Sequence, residues 1–216
     1  MIVQWTFWNV QLFDCPNISK ISSGVSPVMF VESAVLFPKC TIPLRIFEPR
    51  YVEMMDYVLK SSRSFILSFI DGDNCNPQNS LGTMGLINSA VKQADGTSIV
   101  MLDGLFKVRL NELNISDTLH QNWFYEKLDL SNSDLDLVLL DKLERFYNKL
   151  SNSISECDFP KKLPFSKNAS LACDMIIEFL VPNLTFKKEF FIIKEINEKL
   201  SLTLNVLETI TQKRNF

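Results

Sequence analysis

The chain has 216 residues, 46% hydrophobic and 22% charged, which supplies a core for one domain or a compact pair and excludes disorder for most of its length. A net charge of -3 and a pI near 5.3 disfavour nucleic acid as the main partner, because that affinity comes from neutralising phosphates. The six glycines form neither a Gly-Lys pair nor a Gly-x-Gly-x-x-Gly run, so a Walker loop and a dinucleotide fingerprint are both excluded.

The segment from Met1 to Phe13 carries no charge and holds Trp5 and Trp8. It is too short to span a bilayer and lacks the basic start and small-residue cleavage site of a secretory signal. An extra strand or an arm packed on the main body is expected. Five widely spaced cysteines (Cys15, Cys40, Cys75, Cys157, Cys173) without a Cys-x-x-Cys read as thiols of a reducing compartment, so a cytoplasmic location is expected.

From Val28 to about Leu130 the apolar residues come in short runs separated by turn chemistry, which predicts strands. Val35 to Phe37 stops at Pro38. Thr41 to Phe47 alternates, with Ile42, Leu44 and Ile46 on one side and Pro43, Arg45 and Phe47 on the other, so one face should be buried. Glu48-Pro49 then opens a helix running to about Lys60, with proline near the first helical position, where its missing N–H costs nothing. Tyr51, Met54, Met55, Val58 and Leu59 fall at helical spacing there. Phe65 to Ile70 is a third run, ended by Asp71-Gly72-Asp73-Asn74. Met84 to Val91 and Thr97 to Leu102 flank Gln93-Ala94-Asp95-Gly96, whose Asp-Gly pair suits a tight hairpin. Asp103-Gly104 separates that strand from Phe106 to Leu110, and Trp123 to Leu128 closes a small barrel or curled sheet.

After Leu130 the period changes to 3.6, with Ser131-Asn132-Ser133-Asp134 as the expected cap. The first helix carries Leu135, Val138, Leu139, Leu143, Phe146, Tyr147 and Leu150, a stripe wide enough to predict contact with both halves, which would then move as one body. A connector from Ser151 to Lys167 leads to a second helix (Leu171, Ala172, Met175, Ile176, Phe179, Leu180) stopped before Pro182. A third begins after Thr185, and a fourth runs from about Asn197 through Leu200, Leu204, Leu207 and Ile210. The expected division is an N-terminal extension (1–26), a β domain (27–130) and a helical subdomain (131–216).

Catalytic constellations are sparse. Asp71-Gly72-Asp73-Asn74 fails the calcium-loop spacing, because Cys75 takes a ligand position and Gly82 stands where a bidentate glutamate belongs. His120, the only histidine, lies in a polar stretch that reads as loop, and no Gly-x-Ser-x-Gly exists. A pairing of His120 with a distant cysteine is the one nucleophilic arrangement left open. Neither a metal nor a cofactor is expected.

The stretch Leu36-Phe37-Pro38-Lys39-Cys40-Thr41-Ile42-Pro43-Leu44-Arg45-Ile46-Phe47-Glu48-Pro49-Arg50-Tyr51 resembles the signature of the Lon protease N-terminal (substrate-binding) domain family. Gly82-Thr83-Met84-Gly85-Leu86-Ile87 and Asp103-Gly104-Leu105-Phe106-Lys107-Val108 are similar to that family's later strands, and Leu180-Val181-Pro182 onward is similar to its helical part. The resemblance covers roughly Pro27 to Ile210. It implies an α+β fold, a PUA-like β pseudo-barrel with one inserted helix followed by an α-helical bundle. It also implies a non-enzymatic module that recognises unfolded or client polypeptides, a stand-alone member without ATPase and protease parts, acting as an adaptor for a protease or chaperone in protein quality control.

Within the signature, Pro38, Pro43, Leu44, Glu48, Pro49 and Arg50 have structural explanations. Glu48 meets the positive end of the helix dipole, Pro49 fixes φ, and Arg50 can pair with a neighbouring acid. Arg45, Phe47 and Tyr51 flank the strand-to-helix turn and are the candidate polypeptide contacts, so binding is expected mainly in residues 27–130. The alternative is an RNA-associated PUA-like protein, for which Lys161-Lys162 and Lys187-Lys188 are the lysine doublets.

Overall fold

Period-two alternation and turn chemistry produce a barrel in the first half of the chain, and 3.6-residue periodicity produces a helical unit in the second. The computed structural model describes residues 22–69, 77–114, 118–128, 134–153 and 163–214. The uncharged first thirteen residues, the Asp71–Asn74 turn, Lys161-Lys162, Cys15, Cys75 and Cys157 lie outside the described residues. The chain divides after Leu128 into two compact units.

The first unit contains β1 (Ser23–Val31), β2 (Thr41–Ile46), α1 (Pro49–Val58), β3 (Ser64–Phe69), β4 (Leu81–Lys92), β5 (Ser98–Asn114) and β6 (Gln121–Lys127). β1 begins at Ser23, inside the stretch read from sequence as an extension. The strand order is β2-β5-β4-β3-β1-β6, and β6 pairs back onto β5. Five strands therefore close a barrel, with β2 held on the first half of β5 outside the ring. β1 and β3 are parallel, and the other pairs are antiparallel.

Two apolar clusters occupy opposite faces of these strands. Val28, Ile66 and Met84 enter one with Val108, Leu110, Trp123 and Tyr125. Their neighbours Met29, Phe65, Leu67 and Ile87 enter the other, which α1 covers with Met54, Met55 and Val58. Strands buried on both faces read as near-continuous apolar runs, as residues 65–67 do. Each fully buried side chain of α1 contributes about 1.5–3 kcal/mol of apolar burial.

Two strand expectations need correction. The break at Asp103-Gly104 does not occur, and β5 runs 17 residues through it. Glycine is there because the Phe37 backbone crosses at that point, where a Cβ on residue 104 would collide with the Phe37 carbonyl oxygen. The Gly104 N–H donates to the Cys40 carbonyl and the Lys39 N–H to the Gly104 carbonyl, each at 2.8 Å. Residues 35–37 form no strand. Leu36 and Phe37 are buried at 2% and 0% exposure, the Thr83 hydroxyl donates to the Leu36 carbonyl at 2.5 Å, and the chain turns through Pro38 with Lys39 at φ 63°. The hairpin at Asp95-Gly96 forms as its chemistry dictates, with Gly96 at φ 84°.

The second unit contains α2 (Leu137–Ser153), α3 (Ala169–Leu180), α4 (Leu184–Ile192) and α5 (Ile196–Arg214). The Asp136 carboxylate accepts the N–H groups of Val138 and Leu139, so this residue, rather than the polar run before it, caps α2. Val138 is 80% exposed and Leu140 takes a buried place instead. Asn168 and Asn183 cap α3 and α4, which starts α4 at Leu184, ahead of the expected Phe186. The buried face of α3 is also rotated from the expected stripe: Cys173, Asp174 and Ile177 point inward while Phe179 is 49% exposed. The cause is a buried ion pair. Lys199 on α5 donates to Asp174 at 2.7 Å and to Ser170 at 3.2 Å, with its ammonium over the Phe190 ring.

Candidate functional site

The β2-to-α1 corner carries most of the signature, and its geometry separates packing residues from exposed ones. Glu48 is the N-cap residue and Pro49 the first helical residue of α1. The Glu48 side chain makes no capping bond; it accepts the Arg50 guanidinium at 2.7 Å, and Arg50 in turn lies over the Tyr51 ring. Tyr51 is 6% exposed, and its hydroxyl accepts the Phe30 N–H and donates to the Phe30 carbonyl, both at 3.1 Å. Burial raises the pKa of this phenol above its ordinary value, an effect that the bond to Phe30 offsets in part. Tyr51 therefore locks α1 to β1, and its assignment as a polypeptide contact is corrected to a core position.

Arg45 and Phe47 remain on the surface, with Phe47 65% exposed. The register aligns Pro43 with Met101 and Arg45 with Ile99 on β5, and Ile99 faces Val91 on β4. Ile99 is 43% exposed, and Met101 and Val91 are half-buried. Pro43, Met101, Ile99 and Val91 thus form an apolar stripe outside the barrel with Arg45 set against Ile99, opposite the face on which Ile42, Leu44 and Ile46 meet the α1 cluster, and Phe47 follows two residues beyond Arg45. One end of the stripe is polar, because the Asp103 carboxylate accepts Thr41 at 2.6 Å and Asn88 at 2.9 Å. At the other end Arg45 lies 3.6 Å from Asp95. The Thr97 hydroxyl, followed by its N–H, holds the Asp95 carboxyl below the usual aspartate range, with Arg45 a smaller influence.

β2 is also the end of the sheet. The Gly104 N–H bond to Cys40 sets the alternation of the ladder, which assigns the bonds to β5 to Ile42, Leu44 and Ile46. The backbone groups of Thr41, Pro43 and Arg45 then face away from β5. Proline is tolerated at 43 because its missing N–H would have pointed outward.

Besides Asp174, sequence reasoning missed the burial of His120, Lys107 and Lys199. His120 is 3% exposed, its Nδ1 lies 3.4 Å from Glu53 of α1, and its ring faces Tyr57. Glu53 also accepts the Leu119 N–H, so the expected loop is pinned to α1. Lys107 is 3% exposed over the Phe37 ring, and Lys199 is buried as described. Nothing in the local pattern marks these residues as inward-facing. Cys40 and Cys173 are buried and form no disulfide, and no cluster of metal-ligating side chains exists among the described residues.

The helical unit exposes Leu137, Val138, Phe179 and Ile192, more than its stripes predict, and has a shallow groove lined by Val181, Phe186 and Val206. Lys187 is ion-paired with Glu178 at 2.7 Å, which removes half of the Lys187-Lys188 doublet from phosphate binding. No described helix is long and apolar enough to cross a membrane.

Residues 25–209 match the family model described as the ATP-dependent protease La (LON) substrate-binding domain. Lon proteases of two Buchnera aphidicola subspecies, Baizongia pistaciae and Acyrthosiphon pisum, are 21% and 22% identical over 85% of this chain. The chain spans about a quarter of the length of these curated relatives, 24% and 25% respectively. Two solved structures share its fold. The Lon N-terminal domain protein from Xanthomonas campestris has a TM-score of 0.59 at 19% identity, covering 84% of this chain and 98% of its own. The N-terminal domain of the Mycobacterium avium complex Lon protease has a TM-score of 0.64 at 11% identity, covering 86% and 98%. With a six-stranded sheet of the expected pseudo-barrel kind and a helical unit behind it in sequence, the chain belongs to the Lon substrate-binding domain family.

Proposed function

We propose that the chain is a non-enzymatic module that holds exposed or unfolded segments of client polypeptides on the outer stripe beside β2, and that it serves protein quality control as an adaptor. The carrying observation is Phe47, a phenylalanine 65% exposed just beyond the end of β2, beside the stripe of Pro43, Met101, Ile99 and Val91 that strand register aligns. Exposed apolar residues scattered singly need no explanation, but a contiguous patch rimmed by polar groups has the character of a binding surface. Asp103 with its two donors and the Arg45–Asp95 pair supply that rim. The exposed residues of the helical unit are set on separate helices or at one helix start, without a shared strand register.

Phe47→Ala removes the most exposed apolar side chain of this surface and touches no described core cluster. Affinity for reduced, carboxymethylated α-lactalbumin, an unfolded polypeptide, should fall about tenfold while the thermal midpoint stays unchanged. Equal affinity of the variant and the unaltered chain would refute the assignment to this stripe.

A further inference from the structure

From the open backbone edge of β2 we infer that the client binds by strand addition, as an extended segment hydrogen-bonded to Thr41, Pro43 and Arg45. This mode rests on the polypeptide-binding reading above. The outward groups are the carbonyls of Thr41, Pro43 and Arg45 and the N–H groups of Thr41 and Arg45, and no described strand pairs with that side of β2. The ring strands have partners on both sides over at least part of their length, whereas β2 pairs along one side only among the described strands. An unpaired strand edge is a template for another chain, with main-chain bonds giving affinity and alternate side chains giving specificity. Here the side chains at positions 43 and 45 stand on the outer face, so an added strand would lay every second residue along that face.

The edge discriminates between occupants. In any antiparallel pairing of two copies along this edge, each Pro43 faces a carbonyl to which it cannot donate, so two bonds are lost by symmetry, and the register that sets Arg45 against Arg45 adds like charges directly opposite each other. A foreign segment meets Pro43 once, and its N–H groups find three carbonyls waiting. The proposed occupant is therefore an extended, predominantly apolar segment of a different polypeptide.

Two variants separate backbone pairing from side-chain contact. Arg45→Pro deletes an outward donor without removing a bond to β5, whereas Arg45→Ala keeps the donor and removes the guanidinium. With carboxymethylated α-lactalbumin as probe, Arg45→Pro should weaken binding about tenfold and Arg45→Ala less than about threefold. Amide exchange of the unaltered chain gives a measurement independent of the proline variant's folding. The Arg45 N–H should exchange freely alone and at least about tenfold more slowly with saturating probe, while Leu44 is protected in both states. Strand addition is overturned if the Arg45 amide stays fast in the complex, or if both variants bind alike while Phe47→Ala fails, which would leave the stripe reading intact. Slow exchange at Arg45 without probe, with a doubled mass in sedimentation, would assign the edge to a second copy. An unaltered chain that does not bind the probe would overturn both readings.

Discussion

The barrel unit and the helical unit are held together by different means. In the barrel, backbone approaches backbone: Phe37 crosses Gly104, Thr83 reaches the Leu36 carbonyl, and Tyr51 bonds both polar groups of Phe30. The helical unit is held by apolar stripes and one ion pair buried at 1% exposure on each side. Close backbone approach admits few residue types, whereas an apolar stripe admits many. A signature dense enough to be seen by eye therefore belongs to the barrel.

The largest test of this contrast is in the helical unit. Lys199→Ala leaves Asp174 as a buried charge without its cation and should cost about 3–5 kcal/mol in urea unfolding, whereas the double replacement Lys199→Met with Asp174→Leu should recover most of that loss. Equal losses in both would show that the bond itself, and not the abandoned charge, sets the cost. Next comes Gly104→Ala in the barrel, which forces the Phe37 segment off β5 and should cost about 1–3 kcal/mol, together with loss of protection at the Lys39 amide. A neutral result there would deny that close approach dictates the glycine. Tyr51→Phe removes both hydroxyl bonds to Phe30 and should cost about 1–2 kcal/mol by the same measurement.

The smallest expected effect is a pH dependence at the Asp95 turn. The Asp95 pKa is lowered on folding from 3.8, so its stabilising contribution is complete above that value and is lost as pH falls through the lower folded pKa. Carboxyl chemical shifts recorded across that acid range should place Asp95 below an ordinary aspartate, and Thr97→Val should move it back.

The corner from β2 to α1 and the Asp95-Gly96 hairpin were legible because their determinants lie within a few residues of one another. Alternation at residues 42–47, proline at the helix start and glycine at the turn each act locally. Gly104 misled because its reason lies 67 positions back, at Phe37, and a glycine between two apolar runs otherwise signals a turn. Asp174 and Lys199 were invisible for a related reason: a charged residue scores as outward-facing on any helical wheel unless its partner on another helix is known. Of the candidate site, strand parity exposed Arg45 and Phe47 correctly. Tyr51 needed the position of Phe30, which parity within the signature does not contain.

The register of β1 sets an order of events in synthesis. Ser23 pairs with Glu126 and Val28 with Gln121, while the other side of β1 pairs with β3 near Ile66. As the chain leaves the ribosome, β1 and β3 can meet early, but the remaining edge of β1 has no partner until β6 emerges about a hundred residues later. For that interval the nascent barrel carries a second open strand edge, and the arrival of Trp123 and Tyr125 both caps it and fills the interior. Ring closure is therefore a late step, and a ribosome stalled before β6 would display a strand that the finished protein hides.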